Sequence, residues 1–464
     1  LVDNGVIDAD APSTHEVGAS AGEGPLDPSW SWEEEATSLQ SDFDAGGVVF
    51  PLGAASASAD NDAAVFVWQD TYGSLLRMRY RDPSGEWEEV DSASPSSGAG
   101  VGAARVVMNA KGDAAVIWHA WYALGVELAF HESNESSWGT PEAVSTQSGP
   151  GAKTELSSLD INDAGVVAAV WMERAESSSP YQVKVRVRQS TGTWDDEVVV
   201  NESAELSAFP EVSLNMTGDM LVVWQEMVAG VMTVRGRHYS ANTSTWEETL
   251  TYSEGDSHAG LPQADLEDAG RALVVWRQAD EAQVGWTLAS SGHLVARSRQ
   301  ASGALAALQP LSPLGQDAFH TAIETRKENV KMDGEGRAAV AWSAFDGEDY
   351  RVFVARMDAS GTWSSPLALS VAGQNAKLPS LAMGDGGGLA LSWQRSDGLN
   401  SIIQVAKYDA SSAQWSLPVS LSEAGASAYW STLSWEGASD YSAIWARSNG
   451  SAYRAQTKRT LSTP

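Results

Sequence analysis

The chain has 464 residues, with 29 Lys+Arg against 61 Asp+Glu and a net charge of −32. Such a field repels nucleic acid and anionic membranes, so no nucleic-acid partner and no membrane insertion are expected. With no cysteine, disulfides, thiolate metal sites and cysteine nucleophiles are excluded. No apolar run approaches the ~20 residues of a spanning helix.

Residues 1–27 are acidic, rich in Ala, Ser and Gly, and without periodicity, which predicts a low-complexity tail. The chain begins at Leu1 rather than Met, from which a removed signal segment or lipoprotein leader is expected, and with it a secreted or outer cell-surface location. A tail this polar is expected to be held by a neighbouring molecule, giving an assembly contact through residues 1–27.

From residue 28 onward the sequence repeats. Short apolar runs end in Trp68, Trp118, Trp171, Trp224, Trp276, Trp342, Trp393 and Trp445, at spacings of 50, 53, 53, 52, 66, 51 and 52. This is the period of a four-stranded propeller blade. In each unit a strand A, often opening near proline as at Pro210, Pro262 and Pro379, runs into a tight Asp/Asn/Gly turn. Strand B follows and ends in the tryptophan. Strand C alternates, as in VKVRVRQ at 183–189, which predicts a half-exposed strand. A second turn then leads to a second tryptophan near strand D, at Trp87, Trp138, Trp194, Trp246, Trp363 and Trp415. The last unit lacks strand D, and residues 28–39, with Trp30 or Trp32, supply it. The expected fold is therefore all-β: an eight-bladed propeller over residues 28–464, closed by an N-terminal strand that removes two open edges.

The turns DPSGEW (82–87) and DASGTW (358–363) resemble a degenerate Asp-box of the sialidase-like propellers: Asp358, Gly361, Thr362 and Trp363 are present, with the glycine one place late. Whole units are similar to tryptophan-rich repeats of secreted bacterial propellers, some of which are lectins. The resemblance covers about 435 residues and implies fold more than function.

Fifteen of the twenty tryptophans fill the repeated positions and are expected to pack between blades. Outside the pattern, Trp121 beside Tyr122, Trp286, and Trp430 beside Tyr429 fall on the B–C and D–A side, where flat aromatic surfaces suit sugar faces or a protein. The 66-residue interval is lengthened in the B–C loop at 277–293 and in what reads as the D–A link at 319–330, the latter carrying Arg326 and Lys327 and followed directly by Lys331. Residues just after each strand-B tryptophan are expected to ring the channel mouth, among them His119, Glu173, Arg174, Gln225, Arg277, Arg395 and Arg447. The candidate ligand-binding set is accordingly Trp121, Tyr122, Trp286, Tyr429, Trp430, Arg277, Arg395 and Arg447.

No catalytic set is predicted. A sialidase needs three convergent arginines and a tyrosine–carboxylate pair; Arg277, Arg395 and Arg447 suit the first requirement, and no tyrosine–glutamate pair stands out. No metal site and no cofactor are expected: the seven histidines show no ligand spacing, and the turns at Asp160–Asp163, Asp333 and Gly384 are only fragments of calcium loops. The expected function is a non-catalytic extracellular protein with a glycan or protein partner, with a structural subunit of a surface assembly and a sialidase-like hydrolase as alternatives.

Overall fold

In the computed structural model the described residues are 30–32, 37–38, 55–59, 63–69, 75–93, 101, 104–119, 125–146, 153–201, 206–279, 292–319, 329–436, 440–448 and 453–462. They contain no helix and form eight antiparallel sheets in ring order. Blade three shows the pattern: strand A at Lys153–Ile161, B at Val167–Arg174, C at Gln182–Arg188 and a short D at Val198–Val199. The fold is an eight-bladed β-propeller.

The chain closes its own ring. Trp30–Trp32 pairs antiparallel with Tyr453–Ser462, and Thr37–Ser38 pairs further along the same strand. Register decides between the two tryptophans. Trp32 stands opposite Thr460, fifteen residues after Trp445, as Trp246 stands opposite Tyr239, fifteen after Trp224. Residues 1–27 lie outside the described residues, and the expectations placed on them are not addressed by the structure.

The eight strand-B tryptophans are all among the largest fully buried side chains. Each lies in a cluster shared with a neighbouring blade, as where Trp224 joins Val170 and Val185. Phe66, Trp68 and Ile444 make the same junction between the first and last blades. The second tryptophans behave differently. Trp87, Trp194 and Trp246 are half-buried under the guanidinium groups of Arg79, Arg186 and Arg237, at 5.6, 5.3 and 5.9 Å from the ring centroids. Each of these arginines also donates Nε–H to the carbonyl just after its tryptophan, at 2.8–2.9 Å. The long aliphatic stem covers the ring and the charged head stays wet.

The A–B turns clasp one blade to the next. Asn109 donates its side-chain amide to the carbonyl of Asn162, Asn162 to that of Asn215, and Asn215 to that of Glu267, at 3.1–3.3 Å. Each Oδ1 meanwhile accepts from its own turn, for Asn162 from the N–H groups of Ala164 and Val166. The acidic turns are thus spent on backbone hydrogen bonds: Asp160 accepts from Leu214 N–H at 2.8 Å in the next blade. Among the described residues no group of acids and histidines is arranged to hold a metal ion. The glycines at 384 and 388 have another reason: a Cβ there would lie 2.3 and 2.8 Å from the Trp435 ring, which covers both.

Strand A carries a repeated irregularity. A register shift interrupts the A–B ladder in blades three, four, five, seven and eight. Within each shift sits a large side chain with a left-handed backbone, Leu156, Phe209, Leu261, Leu378 and Trp430, at φ of 50 to 56°. In blade six the insertion falls at this same place. Ala318–Phe319 and Val330–Met332 both pair with strand Ala338–Phe345, flanking 320–329. The segment read from the sequence as a lengthened D–A link is therefore flanked on both sides by residues that pair with strand B of blade six, at the position where the other blades bulge. A bulge already has unpaired backbone and accepts extra residues without breaking the ladder.

Candidate active site

Strand A enters each blade, strand B leaves and strand C begins at one end of the disk. At the junction of blades two and three this end gathers titratable groups from four strand termini. His119 ends strand B of blade two. Lys153 and Glu155 begin strand A of blade three, Arg174 ends its strand B, and Tyr181 directly precedes its strand C. The two blades are tied together beside them, where Gly125 N–H donates to Thr154 Oγ1 at 3.0 Å.

Tyr181 donates its hydroxyl to Glu155 Oε2 at 2.8 Å. Lys153 pairs with the other carboxylate oxygen. The Arg174 guanidinium lies over the Tyr181 ring, 5.0 Å from its centroid, and donates Nη1–H to the Ser177 carbonyl at 3.1 Å. Burial, together with the hydrogen bond to Glu155, raises the Tyr181 hydroxyl to about 12, with Arg174 opposing. Burial pushes His119 below the ordinary imidazole value, against the pull of Glu155 and with a contribution from Lys153. Its Nδ1 is buried without a hydrogen-bond partner among the described residues. The cluster therefore holds a neutral imidazole and a protonated phenol close to one carboxylate, bracketed by two cations. Groups whose environments push their proton affinities apart make an acid and a base.

Tyr181 and Glu155 form a tyrosine–glutamate pair that does not stand out in the sequence. The two are 26 residues apart, and only the return of strand C beside strand A brings them together. His119 and Arg174 were legible from the sequence as residues following the strand-B tryptophans; Lys153, Glu155 and Tyr181 carried no signal of their own.

The residues singled out from sequence are distributed as follows. Trp121, Tyr122 and Trp286 lie outside the described residues. Tyr429 and Trp430 are half-buried in the bulge of blade eight, their rings 5.1 Å apart at 40°. Arg277 is buried, ion-paired with Asp317 and donating to the Ala318 carbonyl at 3.1 Å. Arg395 donates to the adjacent Ser396 carbonyl at 2.9 Å. Arg447 pairs with Glu423 at 2.6 Å. Each arginine thus has its own local acceptor on a separate blade. The residues expected to ring the mouth are also partly turned inward, because Glu173 accepts from Trp171 Nε1 at 3.0 Å and Gln225 accepts from Leu261 N–H at 2.9 Å.

No family model and no curated protein matches the chain. Solved structures do. An ulvan lyase bound to a GlcA–Rha3S unit is 10% identical over 91% of this chain and 95% of its own, with a TM-score of 0.49. An α-L-arabinanase from Penicillium chrysogenum is 12% identical over 66% of this chain and 92% of its own, with a TM-score of 0.39. An α-L-arabinofuranosidase from Fusarium graminearum is 11% identical over 77% of this chain and 92% of its own, with a TM-score of 0.38. At such identity these likenesses show the propeller fold alone. The expectation of a non-catalytic binding protein that is no enzyme is corrected here: the solved propellers just named are carbohydrate-cleaving enzymes, an activity that belongs to those proteins, so the fold does not favour a binder over an enzyme. The cluster of titratable residues at blades two and three is assembled only by folding, so no sequence pattern marks it.

Proposed function

We propose that the protein cleaves an acidic polysaccharide by β-elimination at the mouth between blades two and three. The observation that carries this reading is the Tyr181–Glu155 hydrogen bond flanked by a neutral His119 and by the cations Lys153 and Arg174. Lys153 and Arg174 neutralise the carboxylate of a uronate residue, which acidifies its C5 proton. The His119 imidazole takes that proton. The C4–O bond breaks as the C4–C5 double bond forms, and Tyr181 gives its proton to the departing oxygen. The imidazolium returns a proton to the phenolate through solvent, and Glu155 holds the phenol in place. Positioned acid–base groups of this kind contribute on the order of 10²–10⁴-fold in rate.

The net charge of −32 disfavours a polyanion at long range. Screening limits that field to about 8 Å at physiological salt, and inside that distance the local cations decide. The acidic, cysteine-free composition supports a place outside the cell, with residues 1–27 as a tail preceding the propeller. The Asp358 turn supports a distant kinship with Asp-box propellers: its Oδ1 accepts from the N–H groups of Ser360 and Thr362, both at 2.9 Å.

Incubation with polygalacturonate, alginate and chondroitin tests the reaction. Elimination produces new reducing ends together with the ultraviolet absorbance of an unsaturated uronate. Reducing ends without that absorbance mean hydrolysis, and neither signal from any acidic glycan overturns the proposal.

A further inference from the structure

The tyrosine–carboxylate pairing recurs at blade six. Tyr350 opens strand C of that blade, as Tyr181 precedes strand C of blade three, so both belong to the same face of the disk. The Tyr350 hydroxyl donates to Asp317 Oδ2 at 3.4 Å, and Asp317 also pairs with Arg277. Over the Tyr350 ring, 4.0 Å from its centroid, sits the ammonium of Lys377, from the start of strand A in blade seven.

The two cations here differ in what they have left to give. Arg277 is already bound by Asp317 and by the Ala318 carbonyl. Lys377 is half-buried, and among the described residues no carboxylate or carbonyl meets its ammonium. A ring face attracts a cation but accepts none of its three N–H bonds in the ordinary way, and a partly desolvated ammonium is costly without an anion. Burial accordingly holds Lys377 below the usual lysine range, with only the charge of Asp349 opposing.

We infer that Lys377 is the anion-binding element of a second subsite, one that receives a carboxylate or sulfate group of the same glycan chain cleaved at blades two and three. The inference rests on the reading of the protein as an acidic-polysaccharide enzyme and adds where a distant part of that chain is held. Blade seven lies four blades round the ring from blade three, so the subsite engages only substrates long enough to cross the mouth. The Tyr350 ring orients the ammonium, and the Arg277–Asp317 pair fixes the tyrosine from below.

The test uses calorimetric binding to the Tyr181→Phe protein, so that cleavage does not consume the ligand. The probes are oligosaccharides of unsulfated chondroitin, which offer carboxylate alone, of κ-carrageenan, which offer sulfate alone, and of dextran, which offer neither. Lys377→Met, which keeps an unbranched stem over Tyr350, is expected to weaken at least one anionic probe about tenfold, while Lys377→Arg retains binding. Which anionic probe responds tells carboxylate from sulfate. Unchanged affinity of both anionic probes for the Met variant overturns the subsite, as does an equal loss with dextran or the absence of binding by either anionic probe. The subsite and the enzyme reading fail separately. Cleavage by the parent protein with Lys377-independent binding overturns the subsite alone, and Lys377-dependent binding without cleavage of any acidic glycan overturns the enzyme reading alone.

Discussion

Tyr181 donates a hydrogen bond from its hydroxyl to Glu155 Oε2 at 2.8 Å, between residues that the sequence separates by 26 positions. Tyr181→Phe keeps the ring under Arg174 and removes only that hydroxyl. Its expected effect is a fall in turnover on the order of 10²–10⁴-fold with an unchanged melting temperature. Steady-state kinetics on the cleaved glycan check this, and a variant with parental turnover removes Tyr181 from the mechanism.

On the proposed mechanism His119 is expected to set the acid limb of the pH–rate profile. Because burial lowers its pKa from 6.5, the imidazole stays in its base form at pH values where a free histidine is protonated. Activity is expected to persist below pH 6.5 and to fall only at more acid pH. The alkaline limb belongs to Tyr181, raised to about 12, so no loss is expected near neutrality. An acid limb centred at or above 6.5 assigns the base to another group.

The same burial makes stability depend on pH. His119, His131 and His238 all have lowered pKa values, with desolvation the largest cause in each. The unfolded chain therefore binds more protons than the native one at pH values below 6.5, and stability falls as pH drops through that range. Thermal melts across mildly acid pH are expected to show this slope, and replacing the three histidines by glutamine is expected to flatten it.

The clasp between blades is testable at Asn162, whose amide donates to Asn215 O while its Oδ1 accepts from Ala164 and Val166. Asn162→Ala leaves buried backbone groups without partners and is expected to cost about 1–3 kcal/mol. Denaturant unfolding measures it. Asn162→Asp, which keeps the acceptor for its own turn and loses the donor, is expected to fall between the two.

Removing residues 1–40 deletes Trp30–Trp32 and Thr37–Ser38 and bares the outer edge of Tyr453–Ser462. An unpaired edge strand templates pairing with another chain. The truncated protein is expected to dimerise or aggregate in sedimentation experiments, and a monomer with unchanged melting contradicts closure through this strand.

The sequence by itself determined the propeller, its blade count and its closure. Its evidence was periodic: eight strand-B tryptophans must each fill one inter-blade space, and a repeat without its own strand D needs one from the other chain end. Local chemistry also carried the half-exposed C strands and the tight A–B turns, because alternation and turn residues act over a few neighbours. Tertiary structure alone decided three things. It showed that Asn109, Asn162 and Asn215 link successive turns into a clasp, which needs the next blade to be present. It showed that Ala318–Phe319 and Val330–Met332, on either side of the insertion, both pair with the same strand B, a matter of register. And it assembled His119, Lys153, Glu155, Arg174 and Tyr181 from four strand ends in two blades, each residue ordinary in its own segment. Burial then shifted the His119 and Tyr181 pKa values in opposite directions, and burial is a property of the packed ring that no single repeat possesses.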